Sequence, residues 1–141
     1  MKKFAFVLYV ALIAAVSGAP AFATGAIAIG AKSNLGAHGV SVGMSGDFGS
    51  RSAAKNDALQ QCKAGQVSAS IRALCKVVGT YSNQCSAVAM DAKAGAPGLG
   101  WGVAETSRAA SRVAMQRCKA TAAGRGWACK VATTSCDGNA R

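Results

Sequence analysis

The sequence predicts an α+β domain made by tandem duplication of one strand-strand-helix-strand unit, with an antiparallel sheet, two helices packed on it, and stabilising disulfides. A helical segment with alanines at i and i+4 and a cysteine at i+8 occurs twice, starting at Ala54 and at Ala110. Each segment is followed by a Cys-Lys-Val segment and then by one more cysteine. All the cysteines belong to this pattern, namely Cys62, Cys75 and Cys85 in the first copy and Cys118, Cys129 and Cys136 in the second.

The N-terminus has the three parts of a signal peptide. Two lysines precede the apolar run Phe4–Val16, and an Ala-x-Ala cleavage pattern ends at Ala23. The apolar run is shorter than the about 20 residues that a spanning helix needs. We therefore expect cleavage after Ala23 and export of a domain without a membrane span to the periplasm or the medium. The predicted segments are 1–23 for the signal peptide and 24–141 for one domain, with repeats over about 25–84 and 85–136.

The first unit opens with two predicted strands. Residues Gly25–Gly30 alternate small and large apolar side chains, which predicts a strand with its isoleucines on the covered face. Turn-forming residues fill Lys32–Ala37, and His38–Val42 alternates again, so a hairpin is expected. The glycine-rich segment Gly43–Ser50 is predicted to be a mobile surface loop.

A helix and a third strand complete the first unit. Ser50 or Ser52 can cap a helix beginning near Ala53, because a hydroxyl there accepts a hydrogen bond from an unpaired backbone N–H. Gly65 suits the left-handed residue that ends a helix. The segment from 75 to 80 is rich in valine and predicts the strand. The small-residue stripe of this helix, Ala54, Ala58 and Cys62, would let it approach a sheet closely.

The second unit repeats the same order of elements. Cys85–Met90 predicts a strand, Trp101–Glu105 the returning strand, and residues 127 to 133 the last one. Trp101 is expected at the place that His38 holds in the first unit. Thr106 or Ser107 can cap the second helix, whose stripe is Ala110, Ala114 and Cys118. The sequence leaves open whether the six strands form one pseudo-symmetric sheet or two abutting sheets.

The cysteines predict three disulfides in an exported chain. Zinc is not expected, because the sequence has no Cys-x2-Cys pair and only one histidine. Fifteen pairings are possible for six cysteines. Helix-to-strand pairing within each copy, together with a twofold relation between the copies, gives one hypothesis. Its pairs are Cys62 with Cys75, Cys118 with Cys129, and Cys85 with Cys136.

Several of these motifs together resemble a known family. They are Gly-Ala-Ile-Ala near residue 25, Ala-x3-Ala-Leu-x2-Cys, Cys-Lys-Val-Val, Cys-Ser-Ala-Val-Ala, Gly-Trp-Gly and the second helix-cysteine unit. The chain resembles the family called domain of unknown function 4189, which consists of small exported bacterial proteins, over nearly all of residues 24–141. The resemblance implies a fold and an exported location, with no established activity.

The charge balance indicates an acidic partner. Loss of two lysines with the signal peptide lowers the formal charge from +11 to +9, which favours acidic polymers or acidic protein faces. Residues 24–141 contain no polybasic run that would indicate one class of ligand, and nucleic acid is not expected as the partner. The alternative is that the positive charge serves only solubility. The basic residues off the two helix stripes are expected to face solvent from one layer. Trp101 and Trp127 could stack on a partner if they are exposed, but burial of at least one of them in the core is expected over exposure of both. These candidate binding residues are Lys55, Lys63, Arg112, Arg117, Lys119 and Trp101.

Two functions remain after the sequence analysis. We predict a non-enzymatic interaction module that binds an acidic envelope polymer, or that inhibits a toxin or wall-degrading enzyme in the manner of an immunity protein. The alternative is a small cell-wall hydrolase, with His38 as base and Ser41 or Ser45 as nucleophile. Asp47 and Glu105 could supply acids to such a site. No catalytic residue, metal or cofactor is assigned, and no oligomeric state is predicted.

Overall fold

The computed structural model describes residues 23–33, 35–91, 93, 98–122 and 128–141. The predicted signal peptide apart from Ala23, and Trp127 at the predicted start of the last strand, lie outside these residues. The elements in chain order are β1 Thr24–Ala31, α1 Leu35–His38, β2 Val40–Phe48, α2 Arg51–Lys63, α3 Ala69–Arg72, β3 Lys76–Tyr81, β4 Cys85–Met90, β5 Leu99–Ala104, α4 Ser107–Thr121 and β6 Lys130–Cys136.

The strands form two separate three-stranded sheets. In the first, β1 is central and pairs antiparallel with β2 and β3; in the second, β4 is central and pairs antiparallel with β5 and β6. Each half of the chain therefore folds as strand, strand, long helix and strand. The α+β fold is confirmed, the same order of elements occurs in both halves, and of the two arrangements left open the one with two sheets is found. The short helices α1 and α3 were not predicted.

The central strands are buried on both faces, and this sets the order of layers. Ala26 and Ala28 of β1 pack with α2, whereas Ile27 on the other face packs with Val88 of β4. On β4 the alanines, including Ala87, pack with α4. Since successive side chains of a strand point to opposite faces, the layers run helix, sheet, sheet, helix. Each sheet thus carries one helix, and α2 and α4 lie on opposite outer faces.

Glycine in β2 and β5 allows the helices to approach closely. A Cβ added at Gly43 would stand 1.9 Å from the carbonyl oxygen of Ala58, and one at Gly100 would stand 2.2 Å from that of Ala114. The prediction of a mobile loop over Gly43–Ser50 was therefore wrong for most of its length, because β2 continues to Phe48. The glycine there marks a close backbone approach within a strand.

Both long helices begin at the predicted caps. The Ser50 hydroxyl accepts a hydrogen bond from the N–H of Ala53 at 3.2 Å, and that of Thr106 accepts from the N–H of Ala109 at 3.2 Å. The end of α2 differs from the prediction: Gly65 does not adopt the left-handed conformation, since the glycines with positive φ among the described residues are Gly39 and Gly138. The residue that caps the C-terminus of the helix, Ala64, has a right-handed conformation.

Three disulfides join the pairs of the hypothesis. Cys62–Cys75 and Cys118–Cys129 each tie the end of a long helix to the residue that precedes the last strand of its unit. Cys85–Cys136 links facing residues of β4 and β6. The cysteine pattern assigned Cys85 to the first copy, but in the structure it lies on the central strand of the second sheet. The third bond therefore lies within the second unit and does not join the two units.

The strand registers correct the place assigned to Trp101. It pairs with Val88 on the central strand β4, while Met44 pairs with Ile27 at the corresponding position of β1. Trp101 is therefore the counterpart of Met44. His38 ends α1, before β2 begins. Met44 and Trp101 both face the space between the sheets.

Candidate functional site

The outer surface of α4 is strongly basic because of how the helix packs. Its small-residue stripe, which includes Ala110, Ala114 and Cys118, is fully buried against the second sheet. The helix contains four basic residues and no acidic one. Because α4 has no acidic residue, no carboxylate of the same helix can neutralise these charges. Residues that lie three, four or eleven positions apart share a helix face, so basic residues with such spacings lie side by side.

Three of these cations lie in one row, which we call the basic stripe: Arg108, Arg112 and Lys119. All three are exposed, and with Ser111, Met115 and Gln116 they line a surface depression. At a rise of 1.5 Å per residue the stripe is about 16 Å long. Arg112 and Lys119 were among the predicted binding residues, and Arg108 was not. The spacing of Arg108 and Arg112 at i and i+4 was the signal that could have found it.

Arg141 lies close to one end of the basic stripe. The carbonyl oxygen of Arg141 accepts a hydrogen bond of 3.1 Å from the N–H of Ser107, which holds the chain end at the start of α4. Arg141 and Arg108 line a second depression together. The position of Arg141 beside α4 could not be predicted from the sequence, because it depends on a contact between residues far apart in the chain.

Arg117 has a different environment from the stripe. Its Nη1 donates a hydrogen bond of 2.8 Å to the carbonyl oxygen of Trp101, and its Cζ lies 5.1 Å from the centroid of the Trp101 ring. This is the geometry of a cation–π contact. Trp101 itself is half-buried. The three candidate cations of α4 therefore have different places. Arg112 and Lys119 belong to the stripe, and Arg117 is directed to Trp101.

The expectation that five cations share one layer was wrong. Lys55 and Lys63 are exposed on α2, as Arg51 is, but α2 covers the first sheet and α4 covers the second. Two sheets therefore separate these lysines from the basic stripe. The helix α2 also carries Asp57, whose carboxylate accepts a hydrogen bond of 2.6 Å from Gln61. The two helices, although equivalent in the duplication, present different charge patterns.

The serines considered as nucleophiles have structural contacts. The buried Ser41 hydroxyl donates to the carbonyl oxygen of Cys62. The Ser45 hydroxyl donates to the carbonyl oxygen of Ala54 at 2.8 Å and accepts from the N–H of Ala26 at 3.1 Å. Both hydroxyls thereby join α2 to the sheet beneath it. His38 and Glu105 are exposed, His38 at the end of α1 and Glu105 just before the cap of α4.

Two aspartates far apart in sequence meet where the halves of the molecule join. The fully buried carboxylate of Asp137 accepts hydrogen bonds from the backbone N–H groups of Asp47, at 2.7 Å, and Asn83, at 3.0 Å. The Asp47 carboxylate accepts from the N–H of Gly138 at 2.8 Å. Asp47 and Asn83 both have positive φ, of 61° and 50°. These contacts link the end of β2, the β3–β4 turn and the C-terminal segment, so the pair serves to hold the two units together.

The ranges of residues that the structure describes contain no group of three or more His, Cys, Asp or Glu side chains placed to hold a metal ion. No helix in the same ranges has the length and apolar character needed to cross a membrane.

Comparison with known proteins gives one match. A family model described as "Domain of unknown function (DUF4189)" matches residues 24–136. No curated protein and no solved structure matches the chain. The match spans every strand and helix that the structure describes.

Proposed function

Since the chain belongs to the DUF4189 family, a domain of unknown function, we propose a function from its surface: it is an exported, non-enzymatic interaction module whose basic stripe binds an acidic polymer of the cell envelope. The observation that carries the proposal is the row of exposed cations Arg108, Arg112 and Lys119 on a helix without acidic residues. Arg141 lines a depression together with Arg108 at one end of that row.

The form of the stripe favours an extended polymer. A row of cations about 16 Å long can face several negative groups spaced along one chain, whereas a single anion would contact one or two of them. Exposed ion pairs each contribute little, about 0–1 kcal/mol. Useful affinity therefore requires several pairs formed together, as multivalent binding supplies.

Export is supported by two independent features. The N-terminal residues have the charged, apolar and Ala-x-Ala parts of a signal peptide. The six cysteines of the sequence form three disulfides, a bond type that persists in oxidising compartments such as the periplasm and the medium. An acidic envelope polymer would be accessible to a protein in either place.

Binding across a salt series tests the proposal. We expect the domain to bind poly-L-glutamate, inorganic polyphosphate and an isolated envelope fraction. Affinity should fall steeply with salt, because the Debye length shrinks from about 10 Å at 0.1 M to about 3 Å at 1 M ionic strength. Binding that is insensitive to salt would contradict the electrostatic basis. A parallel assay for released fragments should detect none, and release that is lost with His38→Ala would favour the hydrolase alternative.

A further inference from the structure

A groove lies at one edge of the interface between the two sheets. It has a volume of about 420 Å³, which is within the range of small-molecule sites. Residues of both sheets and of the segment before β3 form its walls. The lining residues are Ile29, Ala31, Leu74, Lys76, Val78, Leu99 and Trp101.

One side chain of the apolar wall, Leu74, is exposed to solvent, and another, Trp101, is held in place by its neighbours. Leu74 is 43% exposed and lines the groove. The Trp101 ring lies against the backbone of β3, since a Cβ added at Gly79 would stand 2.9 Å from its Cζ3 atom. The Arg117 guanidinium lies over the same ring and donates a hydrogen bond to the backbone carbonyl oxygen of Trp101. The indole is therefore fixed before any ligand arrives, which lowers the entropy cost of binding.

The charge at the groove has one sign. Lys76 is exposed and lines it, and the Arg117 guanidinium lies over the Trp101 ring. None of the lining residues is acidic. A ligand with an apolar part and a negative group would bury the first against Leu74 and Val78 and place the second near Lys76. A cationic ligand would meet repulsion at the same position.

We propose that this groove binds a small amphipathic anion, an unbranched medium-chain carboxylate. The apolar chain lies between Val78 and Leu74 on one side and Leu99 and Trp101 on the other. The carboxylate contacts Lys76. This site is distinct from the basic stripe, because it lies between the sheets while the stripe is on the outer surface of α4, and neither proposal depends on the other.

Octanoate is a suitable probe of the groove. Binding is followed by Trp101 fluorescence in a Trp127→Phe background and by calorimetry. We expect saturable binding of octanoate, together with a change in Trp101 emission. Octylammonium has the same chain and the opposite charge, and it should bind at least about tenfold more weakly. Equal affinity for the two, or no saturable binding of octanoate, would overturn the proposal.

The duplication supplies a matched control for the charge. Lys76 pairs with Ile29 on β1, and Lys130 pairs with Met90 at the corresponding place on β4, outside the groove. Lys76→Glu should weaken octanoate binding at least about tenfold, because it replaces attraction by repulsion, whereas Lys130→Glu should leave it within about twofold. An equal loss in both variants would reduce the effect to net charge and refute the site.

A second variant tests the apolar wall. Leu74→Glu places a charge on the wall that the octanoate chain would cover, and Leu74 is exposed enough that the fold should tolerate the change. Octanoate binding should be lost while the near-ultraviolet circular dichroism stays unchanged. Retained binding in this folded variant would contradict the assignment of the groove.

Discussion

Gly100 of β5 lies directly beneath Ala114 of α4: a Cβ added at the glycine would stand 2.2 Å from the alanine carbonyl oxygen. Gly43 of β2 and Ala58 of α2 have the same relationship in the first unit. In each unit, the small residues of the helix thus pack directly on the glycine of the strand, and the same close contact occurs twice. Neither part can gain volume unless the helix moves away from its sheet.

Replacing Gly100 with alanine should therefore destabilise the domain. The added methyl group has no free space, and overpacking of this kind costs about 1–3 kcal/mol or more. Thermal or urea unfolding measures the change. Gly49→Ala is the matched control, since a Cβ there meets no atom within 4 Å. Equal stability of the two variants would contradict the close approach of α4 to β5.

The three disulfides should differ in their contribution to stability. Cys85–Cys136 has a sequence separation of 51, against 13 for Cys62–Cys75 and 11 for Cys118–Cys129. Loop-closure entropy then assigns about 4 kcal/mol to the first bond and about 3 kcal/mol to each of the others. Paired Cys→Ser variants, measured by urea unfolding, test this order. A larger loss from removing Cys118–Cys129 than from removing Cys85–Cys136 would show that the native structure, and not the unfolded chain, dominates.

The buried Asp137 should be important for joining the two units. Asp137→Asn removes the charge that strengthens its hydrogen bonds from the N–H groups of Asp47 and Asn83. Hydrogen bonds to charged groups contribute about 1.5–3 kcal/mol, and we expect a loss of stability of that order. Asp57→Asn on the surface of α2 makes the same chemical change and should cost less than about 0.5 kcal/mol. Similar unfolding midpoints for both variants would argue against the junction.

The position of the charges, and not their total, should decide binding to acidic polymers. Reversing Arg108, Arg112 and Lys119 to glutamate should abolish binding of poly-L-glutamate, because it turns the stripe from attractive to repulsive. Reversing Arg51, Lys55 and Lys63 on α2 makes the same change in net charge on the opposite face. That variant should bind less than about threefold more weakly at 0.15 M salt, where charges more than about 8 Å apart are screened. Equal losses in the two variants would leave net charge as the explanation.

The predicted elements that held depend on local patterns. The caps at Ser50 and Thr106 could be identified because the hydroxyl bonds to an N–H three residues away. The buried helix stripes followed from the period of the helix, and the cysteine pairs followed from the repeat. The loop prediction at Gly43 was wrong because the sequence does not distinguish a glycine in a loop from a glycine in a strand that a helix covers closely. The C-terminal boundary of the last strand was also set too early, since β6 continues to Cys136.

The candidate site depended on contacts that no local pattern contains. The alternation in β1 showed a strand with two kinds of apolar face, but it could not show that Ile27 would meet a second sheet and Ala26 a helix. That choice placed α2 and α4 on opposite faces, and it divided the five predicted cations into two groups. The register of β5 then made Trp101 the counterpart of Met44 and brought it under Arg117.

The sequence by itself determined the duplicated unit, the covalent framework and the positive charge, because these follow from the order, spacing and type of residues. Only the tertiary structure decided which cations share a surface, that the Asp137 carboxylate would bond to the backbone of Asp47, and that a groove would remain between the sheets. These features arise from residues far apart in the chain. Their positions depend on how apolar faces are buried against one another, and the burial of one face is satisfied equally well by several partners until all layers are packed together.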